Sequence, residues 1–133
     1  MRFKGIVKKD AKTKNLIKRL EAGDIAMINH KDLDEVAAMG LAEKRVKCVI
    51  NVNKTISGRY PNQGPSVLLD AGIPIFEGDQ ELFQIIDEGD TIEIDSGNIF
   101  KEGKKIGKCA LLDDNKIQEM LNVGYDNLEK ELE

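Results

Sequence analysis

A chain of 133 residues with 41% hydrophobic and 33% charged side chains has the length and composition of one globular domain with a core of its own. Twenty lysines and arginines against 24 acids leave a formal net charge of -4, which argues against nonspecific binding to nucleic acid, and no Trp, two Tyr and four Phe offer no evident platform for stacking bases. No apolar run nears the roughly 18 residues of a membrane-spanning helix, and the start MRFKGIVKKDAKTKN lacks the apolar segment of a secretory signal, so the expected place is the cytoplasm, away from membrane and nucleic acid.

Phe3 to Val7, FKGIV, alternates apolar and polar residues and reads as a short strand. Thr13 to Leu20 puts Leu16, Ile17 and Leu20 on one helical face and stops at Gly23. Ile25 to Ile28, IAMI, is a continuous apolar run of the kind shown by strands covered on both faces. Asp32 to Lys44 returns to helical spacing with Leu33, Val36, Ala37 and Leu41, slightly weakened by Gly40, and Val46 to Val52, VKCVINV, is strand-like again. Strand, helix and strand here have the length of a parallel crossover.

SGRYPNQGP, Ser57 to Pro65, follows that strand and leads into a helix over Pro65 to Ala71, with Pro in its first turn and Gly72 at its end. Ile73 to Phe76 is a third strand whose Pro74 puts it at a strand start or sheet edge. Gln80 to Ile86 reads as a brief helix burying Leu82, Phe83 and Ile86. Thr91 to Asp95, Asn98 to Lys101 and Lys105 to Leu111, parted by the turns Ser96-Gly97 and Glu102-Gly103, form a β-meander. Asp113 to Glu133 is one long helix with Ile117, Met120, Leu121, Gly124, Leu128 and Leu132 on a face, capped by Asp113 or Asp114. It closes on LEKELE without a stop signal and reads as a link into a further domain, which divides the chain into an α/β domain, 1–112, and a C-terminal helix, 113–133.

Placed on this map, SGRYPNQGP lies at the C-terminal end of a parallel strand, the edge where open α/β sheets collect ligands. A helix N-terminus offers N–H groups and the positive end of a dipole, and Arg59 adds a cationic fork suited to carboxylate or phosphate. The GxxxxGK[ST] order of a P-loop is absent. Ser57, Gly58, Arg59, Tyr60, Asn62 and Gly64 are therefore the candidate ligand-binding residues, for a phosphate-containing or other anion. The competing reading is a tight connection, with Tyr60 packed beneath it and Arg59 covering a carboxylate.

Neither reading supplies catalysis. Ser57 as a nucleophile needs a base, and the single histidine, His30, sits in no motif that would provide one. Asp32, Asp34 and Glu35 read as first-turn capping acids, and Asp87, Glu88 and Asp90 around Gly89 as a solvated turn. Cys48 and Cys109 read as reduced thiols, and one histidine builds no zinc cluster, so neither metal nor cofactor is expected. Residues 1–20 hold eight of the twenty basic side chains against one acid, Asp10, which reads as a solvated basic face.

Residues 23–78 carry a resemblance. The opening GDIAMINHKDLD, the segment TISGRYPN and the ending AGIP occur in the order seen at the N-terminus of the SteA-like family, bacterial proteins called cytokinetic ring proteins and related to thiamin pyrophosphokinases through a later domain. The resemblance implies a noncatalytic accessory or regulatory module whose partner is its own C-terminal kinase-like domain. It equally admits a module that completes a thiamin pyrophosphokinase-like active site, or a scaffold in cell division or envelope assembly. In fold the order of elements is similar to the swivelling β/β/α domains of phosphoenolpyruvate-utilising enzymes. There the resemblance puts Gln63 at the place of the phosphorylated histidine, which excludes that phosphocarrier chemistry.

Overall fold

The computed structural model describes residues 1–132. In chain order it holds β1 (Arg2–Asp10), α1 (Thr13–Ile17), β2 (Ile25–Ile28), α2 (Glu35–Glu43), β3 (Cys48–Asn51), α3 (Gly64–Asp70), β4 (Ile75–Glu77), α4 (Leu82–Ile85), β5 (Thr91–Asp95), β6 (Asn98–Lys101), β7 (Lys104–Lys108), β8 (Ala110–Leu111) and α5 (Asp114–Leu132). All eight strands share one mixed sheet in the order β7-β6-β5-β1-β2-β3-β4-β8. The strands β1 to β4 run parallel, and β5, β6, β7 and β8 pair antiparallel. This is the expected α/β class, with its small parallel sheet, its meander and its long C-terminal helix.

The meander is woven in rather than appended. Arg2 to Ile6 pair with β5 and Val7 to Asp10 with β2, so β1 uses its two halves to join the antiparallel and parallel parts. That double pairing extends it well beyond the Phe3 to Val7 segment visible as alternation. Likewise the expected strand Lys105 to Leu111 splits at Cys109, its first part pairing with β6 and its second with β4. Since β7 and β8 stand at opposite ends of the strand order, this one extended run ties both edges together and curls the sheet into a barrel.

The curl explains the two apolar clusters. Ile25, Met27, Cys48, Ile50, Phe76, Val7, Ile92, Ile94 and Ile99 pack together inside the barrel, and Phe3 meets Phe76 edge to face with ring centroids 5.6 Å apart. On the other side Ala26, Ile28, Val49 and Ile75 meet Leu16, Leu41, Leu68, Ile117 and Leu121 from the helices. The alternation along β2 and β3 thus serves two cores, which is why both strands are buried throughout and read as unbroken apolar runs. The layers are β, β and α.

Helix starts differ from the spacing-based bounds for local reasons. Asp32 has φ of +55°, outside the helical region, so α2 begins later, with the Asp34 carboxylate accepting the Ala37 N–H at 2.8 Å as its cap. At the head of α5, Asp113 accepts the Lys116 N–H at 2.8 Å. Ile117 and Leu121 of α5 are buried in the helix-side core, a gain of about 1.5–3 kcal/mol each. Leu128 and Leu132 continue the same stripe and are 40% and 81% exposed. No helix in the described residues is long and apolar enough to cross a membrane.

Candidate functional site

Chain segments leaving the C-terminal ends of β2 and β3 are stitched side by side. Asn51, fully buried at the end of β3, accepts the N–H groups of His30 and Asn53 on its side-chain oxygen, and its amide donates to the His30 carbonyl and the Thr55 hydroxyl. Farther along, the Asp32 and Leu33 N–H groups donate to the Lys54 and Thr55 carbonyls at 2.9 and 3.0 Å. Ser57 then donates both its N–H and its hydroxyl to the Asp32 carboxylate, each at 2.8 Å. Asn62, also buried, donates to the Leu33 and Thr55 carbonyls and accepts the Gly64 N–H. Every polar group named here is matched within the fold, as buried polar groups require.

The outer side of the loop is covered by α5. Gly124 is what lets the helix sit there, since a Cβ at that position would lie 2.4 Å from the Tyr60 carbonyl. The Asn127 amide donates to the Gly58 carbonyl at 2.7 Å, and the Gln63 amide donates to the Tyr125 hydroxyl at 3.2 Å. Gly58, at φ of +86°, also passes close to Met120 and Val123.

Of the six expected ligand residues, Ser57, Gly58, Asn62 and Gly64 therefore use their polar groups to brace the loop, while Arg59 and Tyr60 face solvent. Arg59 makes no ion pair among the described residues, and Tyr60 lies on the surface instead of beneath the loop. Desolvation raises the Tyr60 hydroxyl above its ordinary pKa, helped by the carboxylates of Asp32 and Asp34 and opposed by Arg59. The start of α3 is crowded rather than open: the Leu33 carbonyl would lie 1.9 Å from a Cβ on Gly64. Ser57 and His30 are engaged separately, the latter through a 2.8 Å hydrogen bond between its Nδ1 and the Thr13 hydroxyl.

A second feature opens next door, on the other side of the β2–α2 segment. Between α1 and α2 lies a cleft of about 1050 Å³ at the C-terminal ends of β1 and β2. Lys12, Lys14, Lys18 and Lys31 stand around it, with His30 and Thr13 in its lining and Ile17, Val36 and Met39 supplying apolar surface. Ile17 and Gly40 also line it and lie close together, a Cβ on Gly40 coming 2.7 Å from Ile17 Cδ1. None of the six loop residues lines the cleft. Reasoning from sequence missed it because its walls are over ten residues apart; the only local signal was the density of lysines after β1, read as a solvated face.

The thiols of Cys48 and Cys109 are free, and no group of three His, Cys, Asp or Glu among the described residues is placed to hold a metal. The turn at Gly89 is solvated as expected, with Asp87, Glu88 and Gly89 exposed, and its acids are engaged as well: Glu88 accepts the Lys9 N–H and pairs with Arg19, and Asp90 pairs with Lys101 at 2.9 Å.

No family model matches the chain, and no curated protein matches it. Among solved structures it is similar to a 3-isopropylmalate dehydratase (leuD) of Methanocaldococcus jannaschii, with a TM-score of 0.56 and 17% identity over 98% of this chain and 95% of that one. It also matches a structure described as a novel cellulase from microbes of the gut ecosystem, with a TM-score of 0.45 and 13% identity over 98% of this chain and 68% of the other. The likeness to the dehydratase is one of fold, extending over nearly the whole of both chains.

Proposed function

We propose that this chain is the N-terminal accessory domain of a SteA-like, thiamin pyrophosphokinase-related protein, and that it binds without transforming what it binds. Its TISGRYPN segment is the joint between the sheet edge and α5. The observation that carries this reading is the bracing of the loop on both sides, by Asp32 and by α5, with Arg59 and Tyr60 left outward on a fixed backbone. A loop so held loses little entropy when a partner meets Arg59 and Tyr60. That partner is the protein's own kinase-like domain or an anionic group it presents, and α5 flanks the same loop, with Leu128 partly and Leu132 largely exposed.

The test uses the full-length protein. Arg59→Ala and Tyr60→Ala leave the circular dichroism and the melting temperature of the domain unchanged and weaken its contact with the kinase-like domain, read as loss of interdomain crosslinks. Crosslinks that persist in both variants would remove the loop from recognition. Lost nucleotide or thiamin turnover with crosslinks intact would favour the enzyme reading, in which the loop completes the neighbouring active site.

A further inference from the structure

The cleft between α1 and α2 is independent of that reading. Its four lysines make no ion pair among the described residues, whereas Lys8, Lys101 and Lys116 each sit by a carboxylate. Cationic side chains gathered around a concavity and left without partners raise the local concentration of anions. Two acids, Asp34 and Glu43, also line it, but the Asp34 carboxylate is turned to the Ala37 N–H as a helix cap.

The lining of the cleft is not uniform in chemistry. Thr13 and His30 touch, and Lys12, Lys14 and Lys31 are their chain neighbours, so positive charge and hydrogen-bonding groups gather there. The bond to Thr13 occupies His30 Nδ1 and leaves Nε2 as the ring's remaining polar atom. Ile17 meets Gly40, beside Met39, with Lys18 and Glu43 also in the lining. Val36 and Met39 are 81% and 51% exposed, apolar surface that nothing in the chain covers among the described residues. A volume of about 1050 Å³ far exceeds an inorganic phosphate and matches the size of small-molecule sites.

We propose that this cleft binds a soluble organic anion with an apolar body. Its carboxylate or phosphate lies among Lys12, Lys14 and Lys31, and its hydrocarbon or aromatic part on Val36 and Met39. The site lies at the C-terminal edge of parallel strands, where α/β sheets receive ligands. Asp32, through Ser57, fixes the segment that carries Lys31 and so sets one wall of the cleft.

Two fluorescent probes that share their rings test this on the full chain: 8-anilinonaphthalene-1-sulfonate, which is anionic, and N-phenyl-1-naphthylamine, which is neutral. The anionic probe saturates a single site about tenfold more tightly than the neutral one at low salt, and the preference shrinks as salt rises. Lys12→Gln/Lys31→Gln, both at exposed positions, removes the preference and leaves neutral-probe binding and the melting temperature unchanged. Amide NMR shifts on adding the anionic probe fall within 11–18 and 29–43. Equal affinity for the two probes, a preference that survives the double variant, or shifts centred elsewhere would overturn the proposal. Phosphatidylglycerol vesicles leave the protein in the supernatant on sedimentation; cosedimentation lost in the double variant would overturn the soluble ligand in favour of a membrane surface.

Discussion

Asp32 accepts two hydrogen bonds from Ser57, one from its backbone N–H and one from its hydroxyl, both at 2.8 Å. The carboxylate thereby clamps the loop after β3 to the loop after β2, with a backbone φ of +55° turning Asp32 toward it. Lys31, its chain neighbour, lines the cleft, and Gly58, the neighbour of Ser57, accepts from α5. One residue pair thus sets the spacing of both candidate surfaces.

Ser57→Ala removes one of the two bonds, together with the acceptor of the Arg59 N–H, and should cost about 1.5 kcal/mol, the low end for a bond to a charged group because the pair is half-buried. Asp32→Ala loses both and also places an alanine at positive φ, which adds about 1 kcal/mol, so it should cost roughly two to three times as much. In a double-mutant cycle by urea denaturation the pair should couple by on the order of 1 kcal/mol. A coupling near zero would mean that the contact does not hold the two loops.

Three helical glycines separate close packing from mere tolerance. A Cβ on Gly64 would lie 1.9 Å from the Leu33 carbonyl, and one on Gly124 would lie 2.4 Å from the Tyr60 carbonyl, backbone atoms in both cases. Gly64→Ala and Gly124→Ala must therefore part whole elements, at a cost of about 1–3 kcal/mol or more. On Gly40 the obstacle is the tip of the Ile17 side chain, which can turn away, and the alanine gains about 0.8–1 kcal/mol of helix propensity. Thermal melts should show Gly40→Ala close to the parent and the other two clearly lower. Equal losses at all three positions would contradict this packing.

What was legible in the sequence followed the range of the interactions. The runs IAMI and CVIN announced buried parallel strands because each alternates between two apolar cores, and the glycine turns announced the meander because turn geometry is local. Barrel closure was hidden, since nothing near Cys109 indicates that the strand before it and the strand after it serve opposite edges. Asp32 shows the same limit. Grouped with Asp34 and Glu35 it resembles a cap, and only Asp34 caps; the partner of Asp32 lies 25 residues on. The loop was placed correctly at the sheet edge, but its bond to Asn127 spans 69 residues and its cover by α5 had no local sign.

The barrel interior also fixes the behaviour of the two thiols. Burial pushes Cys48 up to about 12, with the nearby Cys109 thiol adding to the effect and Lys47 opposing it, and burial alone pushes Cys109 up to about 11. Both are therefore neutral thiols in the folded chain at pH 8, and the thiolate is the reactive form. Iodoacetamide at that pH should modify half-buried Cys109 slowly and fully buried Cys48 more slowly still, and both rapidly in guanidinium. The linkage has a definite sign. The unfolded thiols ionise near their ordinary value of 9.0 while the folded ones keep their protons, so the stability they contribute is complete below pH 9 and is lost as pH rises toward 11 and 12. Comparing urea midpoints of the parent with Cys48→Ala/Cys109→Ala across that range isolates this loss from the titration of lysines and tyrosines. The parent should lose more stability than the double variant as pH rises; parallel curves would show that the two thiols ionise alike in the folded and unfolded states.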